Sequence, residues 1–144
     1  MRLLATLIVL LVVGLSAPAA SAGHRAECRY QGLQGGHWTD REVKATIKCV
    51  THKYNLNTDL ALKIASHESG FEADADNGQG YCGVFQHAKT YFPGRLLAAK
   101  RAWPHMKRFG AGCYNARSNI FAAAKLAKAT GGWYEAWCKW ASYC

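Results

Sequence analysis

The chain has 144 residues, of which 50% are hydrophobic and 19% are charged, and it carries a formal net charge of +9. This composition excludes an intrinsically disordered or fibrous protein, because disordered chains have low hydrophobicity and fibrous chains repeat simple motifs. A positive net charge attracts anionic polymers. The basic residues are scattered over several segments and form no long run, so we expect no nucleic-acid partner.

Residues Met1–Ala22 have the order of regions that is typical of a secretory signal peptide. A basic residue, Arg2, precedes an apolar core over Leu3–Leu15, and small residues at 20–22 form the cleavage site. The apolar core is shorter than the roughly 20 residues that cross a bilayer, so we expect no stable membrane anchor. We therefore expect a secreted protein whose single mature domain is 23–144.

Six cysteines lie in this mature part, and an even number in an exported chain favours three disulfides over metal ligands. The chain has no C-x-x-C pair, which argues further against a zinc or redox site, and we expect neither a metal nor a cofactor. Sequence alone does not choose among the possible pairings. The six are Cys28, Cys49, Cys82, Cys113, Cys138 and Cys144.

Hydrophobic periodicity predicts a mainly helical domain. Residues 23–38 are polar and glycine-rich, which predicts an irregular segment ahead of the first helix. Thr39 and Glu42 have the spacing of a capping box, and apolar residues follow at helical intervals, so a helix is predicted over Asp40–Tyr54. The glycine-rich stretch Gly70–Tyr91 predicts a lobe of loops with short strands at most.

Four further helical segments are predicted. Pro104 ends the second of them, Ser118 caps the third, and the glycine pair at 131–132 stops that third helix. No alternation of strands with helices supports a nucleotide-binding sheet. The segments are Asp59–Ser69, Leu96–Trp103, Asn119–Thr130 and Trp133–Cys144.

Glu68 is the most informative position for chemistry. Counting back by four residues along its helix gives Ile64 and Leu60, so the glutamate continues an apolar stripe and points to the edge of the core. Burial disfavours the charged form of a carboxyl group, which suits a general acid near neutral pH. The alternative is that Glu68 lies at a frayed helix end and faces solvent.

Three motifs extend this interpretation. Residues 64–71 read Ile-Ala-Ser-His-Glu-Ser-Gly-Phe, Gly83–Gln86 reads Gly-Val-Phe-Gln, and Asn119 opens an alanine-rich helix. Their order and spacing resemble the lytic transglycosylase domain of the soluble, lysozyme-like bacterial type. Asn77–Tyr81 is also similar to the related resuscitation-promoting factors. The resemblance covers about residues Asp59–Trp137.

The resemblance implies a mainly α, lysozyme-like fold and cleavage of the β-1,4 bond between N-acetylmuramic acid and N-acetylglucosamine in peptidoglycan. It implies that Glu68 protonates the glycosidic oxygen and then acts as a base on the muramic acid 6-hydroxyl, which closes a 1,6-anhydro ring. Expected partners are peptidoglycan glycan strands and anionic cell-wall polymers. The protein is expected to be a monomer, extracellular or in the cell wall.

The resemblance also implies substrate-binding residues. Gln86 would bind substrate or orient Glu68. The family often has an Ala-Tyr-Asn-Ala-Gly motif that places a tyrosine hydroxyl near the catalytic acid, but this chain has a different sequence there, at Thr130–Tyr134. Tyr81 would supply that hydroxyl instead. Aromatic rings, including Trp103, would stack on sugars. Each of these residues also has a structural alternative. Gln86 would be a structural amide, the Ser69 hydroxyl would bond the backbone at its own helix end, and the aromatic rings would belong to the core. The implied set is Ser69, Tyr81, Gly83, Gln86, Tyr91 and Trp133.

Two other functions stay open at this point. One of the nearby acids, Glu72, Asp74 or Asp76, would hold a water and make the protein a lysozyme-type hydrolase of the same bond. Alternatively, the domain is a non-catalytic basic module that binds cell walls or acts as an antimicrobial, because a fold does not guarantee an activity.

Overall fold

The computed structural model describes residues 37–104, 110 and 112–144. The predicted signal peptide Met1–Ala22, residues 23–36 of the predicted irregular segment, and Cys28 lie outside the described residues. The described part of the chain is mainly helical, with two very short strands, and it contains disulfide bonds, as predicted.

Helix α1 covers Asp40–Tyr54, which are the predicted bounds. The predicted capping box is present, because the Thr39 hydroxyl accepts a hydrogen bond from the Glu42 amide and the Glu42 carboxylate accepts one from the Thr39 amide. These two bonds satisfy donors that the first turn of a helix leaves unpaired. They fix the start of helix α1.

Helix α2 covers Thr58–Ser69 and carries Glu68 in its last turn. It begins one residue before the predicted start, because Asn57 is the N-cap residue and its side chain accepts a hydrogen bond from the Leu60 amide. The helix ends at Gly70, which adopts a left-handed conformation with φ +63° that glycine reaches without strain. The chain then turns directly into the loop lobe.

The loop lobe contains two strands, β1 (Tyr81–Cys82) and β2 (His87–Ala88). They pair in antiparallel fashion with Tyr81 opposite Ala88, and the four-residue turn Gly83–Gln86 joins them. The prediction of short strands within Gly70–Tyr91 is therefore confirmed.

Helix α3 covers Phe92–Ala102 and begins earlier than the predicted Leu96. Pro93 lies in its first turn, where a missing amide donor costs nothing because that amide has no helical partner. The helix ends before Pro104, as predicted, with Trp103 as its last, extended cap residue.

Helix α4 covers Ala116–Thr130 and also begins earlier than predicted. Its N-cap is Asn115, whose side chain accepts a hydrogen bond from the Ser118 amide, so the prediction that Ser118 caps the helix is wrong. The end at Gly131 is as predicted. Helix α4 packs against α1, α3 and the C-terminal segment, and its fully buried alanines at 122–124 allow neighbouring helices to approach closely.

The C-terminal segment is not the single helix predicted over Trp133–Cys144. It contains a four-residue helix, α5 (Trp133–Ala136), and a 3-10 turn over Cys138–Trp140. A disulfide joins Cys138 to Cys144 with their Cα atoms 5.3 Å apart. Residues six apart on one helix would lie about 9 Å apart, too far for a disulfide, so the bond requires the chain to fold back.

The cysteines that the structure describes are disulfide-bonded, as predicted, and the structure supplies pairings that the sequence left open. Cys82 is bonded to Cys113, and Cys49 is also disulfide-bonded. No cysteine in the described ranges is free. Within those same ranges, no helix is long and apolar enough to cross a membrane.

Candidate active site

A cavity of about 380 Å³ lies where the end of α2, the loop lobe, the start of α3 and the C-terminal segment meet. We call it the cleft. Its volume falls in the range of about 300–1,000 Å³ that is usual for small-molecule sites. Four of the predicted site residues line the cleft, namely Glu68, Tyr81, Gln86 and Tyr91.

Glu68 is half-buried at the wall of the cleft. Ile64, one turn earlier on α2, is fully buried, and Leu60 is partly buried, so the apolar stripe places the carboxylate at the edge of the core as its spacing indicates. Glu68 is the only carboxylate among the described residues that line the cleft.

The Glu68 carboxylate accepts a hydrogen bond from the hydroxyl of Tyr143. The Tyr143 ring stacks on His67, with ring centroids 4.7 Å apart and planes 9° apart, and the Cys138–Cys144 disulfide closes the segment that carries it. Burial and the neighbouring carboxylate raise the pKa of Tyr143 above its usual value, so its hydroxyl stays protonated and donates. The hydroxyl on Glu68 therefore comes from Tyr143 and not from Tyr81.

Gln86 closes the turn between the two strands and also faces the cleft. Its backbone is left-handed, with φ +43°, and its side-chain nitrogen donates to the carbonyls of Gly83, at 3.0 Å, and Ala75, at 3.3 Å. The side-chain oxygen has no hydrogen-bond partner among the described residues. Gln86 thus acts as a structural amide through its side-chain nitrogen, and its side-chain oxygen stays available as an acceptor.

Asn119, at the start of α4, fixes this turn from behind. It is fully buried, and its side-chain oxygen accepts a hydrogen bond from the Phe85 amide at 2.9 Å. Its side-chain nitrogen donates to the carbonyls of Cys82, at 3.1 Å, and Cys113, at 2.9 Å. One amide side chain therefore holds β1, the turn and the disulfide-bonded loop before α4.

Gly83 is required by this packing. A Cβ atom at this position would lie 2.2 Å from the carbonyl oxygen of Cys113 and 2.3 Å from the side-chain nitrogen of Asn119, and the backbone φ is +72°. Gly83 is buried and does not line the cleft. Gly83 was expected to bind substrate, and in the structure its close neighbours are groups of the chain itself.

Two predicted aromatic residues present their rings at the cleft. Tyr91 is 67% exposed and Tyr81 is 43% exposed, so both offer open ring surface. Trp137, which the sequence analysis did not single out, also lines the cleft, and its indole nitrogen donates to the Phe85 carbonyl at 3.1 Å. Open aromatic faces of this kind are suited to sugar rings, whose C–H groups pack against them.

Of the other two predicted stacking residues, Trp133 belongs to the core and Trp103 is half-buried against it. Trp133 is only 2% exposed and stacks on Phe85 with centroids 5.1 Å apart, and its remaining surface borders a separate cavity of about 390 Å³. Trp103 packs against Phe121, with centroids 5.1 Å apart. Neither residue lines the cleft.

Ser69 ties helix α2 to the turn and does not line the cleft. Its hydroxyl contacts the carbonyl of Val84, at 2.9 Å, and that of Ala65 in its own helix, at 3.3 Å. This is the helix-end arrangement that the sequence offered as the structural alternative. The contact to Val84 fixes the distance between Glu68 and the turn that carries Gln86.

The three acids considered as a second carboxylate lie outside the cleft lining. Asp76 forms an ion pair with Lys89 at 2.7 Å and accepts a hydrogen bond from Tyr114, and these contacts hold the pKa of its carboxyl well below the usual value. Glu72 and Asp74 are exposed. Within the described ranges, no cluster of three or more histidines, cysteines or acids is placed to hold a metal ion.

A buried histidine supports the wall of the cleft next to α3. His87 is fully buried, its Nε2 lies 3.1 Å from the Asn119 carbonyl, and its Nδ1 lies 2.8 Å from an Arg95 guanidinium nitrogen. A guanidinium only donates, so Nδ1 accepts and the proton is on Nε2. Burial, followed by the nearby Arg95 charge, lowers the pKa of His87 to about 3 and keeps the ring neutral.

This neutral histidine makes folding stability depend on pH. In the unfolded chain a histidine takes up a proton below about pH 6.5, whereas folded His87 does not until about pH 3. The contribution of His87 to the free energy of unfolding is therefore present above pH 6.5 and is lost as the pH falls toward 3. We expect the free energy of unfolding to drop by about 2 kcal/mol between pH 7 and pH 5, measured by urea unfolding.

The variant His87→Gln should remove most of this decrease, because glutamine does not titrate. The variant His52→Gln, at an exposed position on α1, should retain it. An equal decrease in the His87→Gln protein would contradict the assignment of the neutral state to His87.

Sequence reasoning missed three residues that shape the site, namely Tyr143, Arg95 and Trp137. On one helix Cys138 and Cys144 would lie too far apart for a disulfide, so a bond between them was the available sign that the segment with Tyr143 folds back. Tyr91 and Arg95 lie four residues apart, which places them on one face if the helix begins earlier than predicted.

Comparison with known proteins returns no match for this chain among protein-family models, curated proteins or solved structures. The chemistry of the cleft is therefore the basis for assigning a function.

Proposed function

We propose that this protein is a secreted lytic transglycosylase with a lysozyme-like fold, which cleaves the β-1,4 bond between N-acetylmuramic acid and N-acetylglucosamine in peptidoglycan. The observation that carries the proposal is the position of Glu68. It is the only carboxylate among the described cleft-lining residues, it is half-buried, and a tyrosine hydroxyl holds it. One carboxyl group is what this reaction needs.

The reaction uses Glu68 twice. Protonated Glu68 gives its proton to the glycosidic oxygen, and the bond from that oxygen to C1 of the muramic acid breaks. The resulting carboxylate then accepts the proton of the C6 hydroxyl as its oxygen bonds to C1, which forms the 1,6-anhydro ring and restores protonated Glu68. No water is consumed, so no second carboxylate has to position one.

The remaining lining supports a sugar ligand. Tyr81 and Tyr91 offer exposed rings, and the free side-chain oxygen of Gln86 offers an acceptor for sugar hydroxyl or amide groups. The disulfides are compatible with a protein of an oxidising, extracellular compartment. The net charge of +9 favours encounter with anionic cell-wall polymers.

Hydrolysis of the same bond would require a second acid to activate a water. We expect none of the variants Glu72→Gln, Asp74→Asn and Asp76→Asn to lower the cleavage rate more than a few-fold, because none of these side chains lines the cleft. The measurement is the initial rate of peptidoglycan cleavage by each purified variant, with its circular dichroism compared with wild type. A loss of a thousandfold in a folded variant would favour a hydrolase.

The Tyr143 hydroxyl should contribute to the rate through its hydrogen bond to Glu68. We expect Tyr143→Phe to lower the cleavage rate by about tenfold to a hundredfold, because hydrogen bonds to charged groups are worth about 1.5–3 kcal/mol. The phenylalanine ring can still stack on His67, which preserves the fold of the segment. A rate equal to wild type would remove Tyr143 from the catalytic arrangement. Tyr134→Phe, at an exposed position, is the control.

Mass spectrometry of the muropeptides released from purified peptidoglycan tests the proposal directly. Products lighter by one water than the hydrolytic ones, with a 1,6-anhydro end, are the expected result. Ordinary reducing ends would identify a lysozyme-type hydrolase. If wild-type protein binds the wall but releases no products, the domain is a non-catalytic binding module.

A further inference from the structure

The cleft contains a cation that has no anionic partner in the described part of the chain. Arg95 lines the cleft from the first turn of α3 and is half-buried there. No carboxylate of the described residues lies within ion-pair distance of it, and it does not pair with Glu68 across the cleft. Burial of this unpaired charge lowers the pKa of Arg95 below its usual value.

The orientation of Arg95 is fixed by groups behind it. One guanidinium nitrogen lies 2.8 Å from Nδ1 of buried His87, whose other ring nitrogen contacts the Asn119 carbonyl at 3.1 Å. The centre of the guanidinium lies 5.8 Å from the ring of Tyr91. The chain thus holds a charged side chain in one place and leaves most of its donors unused.

Partial burial removes some of the water that would solvate the guanidinium, and an anion that pairs with its unused donors offsets that loss. The planar fork of N–H groups fits a carboxylate through two parallel hydrogen bonds. The first turn of α3 adds positive potential at the same place.

From this arrangement we infer that Arg95 binds a carboxylate of the substrate and selects glycan strands that carry one near the scissile bond. The inference rests on the proposed function for the identity of the glycan. Two sources have this chemistry, the lactyl carboxylate of a muramic acid that has lost its peptide and the free carboxylates of an attached stem peptide. Arg95 is then a specificity residue, while His87 is the positioning residue behind it.

The test measures binding, with the variant Glu68→Gln as background so that ligands are not cleaved. Four tetrasaccharides of alternating N-acetylglucosamine and N-acetylmuramic acid are titrated by calorimetry. The first has free lactyl carboxylates, and the second has the same groups as methyl amides. The third carries stem peptides with free carboxylates, and the fourth carries the same peptides fully amidated.

Adding Arg95→Gln to this background should weaken binding of the recognised carboxylate ligand by about tenfold to a hundredfold and leave its amide counterpart unchanged. Preference for the first ligand over the second identifies the lactyl carboxylate, and preference for the third over the fourth identifies the stem peptide. Arg95→Lys should recover only part of the affinity, because an ammonium group cannot form the two parallel bonds. Arg101→Gln, at an exposed position on the same helix, should have no effect.

Three results overturn the inference: equal losses for carboxylate and amide ligands in the Arg95→Gln protein, no loss for any ligand, or no binding of any of the four ligands. The proposed function is tested separately by the wild-type products. If the protein shows the expected carboxylate preference in binding but wild type releases no anhydro products, the specificity at Arg95 stands and the transglycosylase activity fails.

Discussion

Replacing Glu68 with glutamine is expected to abolish peptidoglycan cleavage while the protein stays folded and still binds cell walls. Glutamine has the same shape and can still accept the hydrogen bond from Tyr143, but it neither gives up nor takes a proton in this chemistry. Removal of a positioned general acid and base lowers rates by about 10²–10⁴-fold. The measurement is the rate of release of soluble muropeptides from purified peptidoglycan.

The matched control is Glu72→Gln, which makes the same chemical change a few residues away at an exposed position outside the cleft lining. This control should keep nearly the wild-type rate. Sedimentation of each protein with insoluble peptidoglycan separates loss of chemistry from loss of binding. If the folded Glu68→Gln protein retained more than a tenth of the wild-type rate, Glu68 would not be the general acid.

The largest loss of stability is expected for Asn119→Ala. The substitution leaves three groups without their partner at once, the amide of Phe85 and the carbonyls of Cys82 and Cys113. Each buried group that loses its partner costs about 1–3 kcal/mol, so we expect the free energy of unfolding to fall by about 3–5 kcal/mol. Urea unfolding under non-reducing conditions measures the difference.

Asn57→Ala is the control for this experiment. It removes an asparagine that accepts one backbone hydrogen bond at an exposed helix cap, which is worth about 1 kcal/mol. The turn that Asn119 holds also carries Gln86, so the alanine variant should lose activity even at temperatures where it stays folded. A stability loss no larger than that of Asn57→Ala would show that the turn is held by its disulfide and not by Asn119.

Local signals predicted the helices whose ends carry distinct chemistry. The capping box at Thr39 and Glu42 located the start of α1, and Gly70 and Gly131 marked the ends of α2 and α4. The starts of α3 and α4 were placed too late. In a sequence, Pro93 and Asn115 are as consistent with a loop as with the start of a helix, and tertiary packing decides between the two.

The same division applies to the site. Glu68 and Gln86 were found because each lies in a short motif whose residues are close in sequence. Tyr143 was missed because it reaches Glu68 across 75 positions, through a fold-back that no local pattern specifies. Trp133 was assigned to the cleft because a sequence does not distinguish a buried ring from an exposed one, and its neighbour Trp137 faces the cleft instead.

The disulfide between Cys138 and Cys144 makes the hydrogen bond from Tyr143 to Glu68 depend on the redox state of the protein. The disulfide brings Tyr143 to the carboxylate, so this contact depends on a bond that forms only after the chain meets an oxidising environment. We therefore expect a chain in which this disulfide is reduced to lack the tethered Tyr143 hydroxyl at Glu68. Under the proposed function, formation of this disulfide after export would complete the active form of the enzyme.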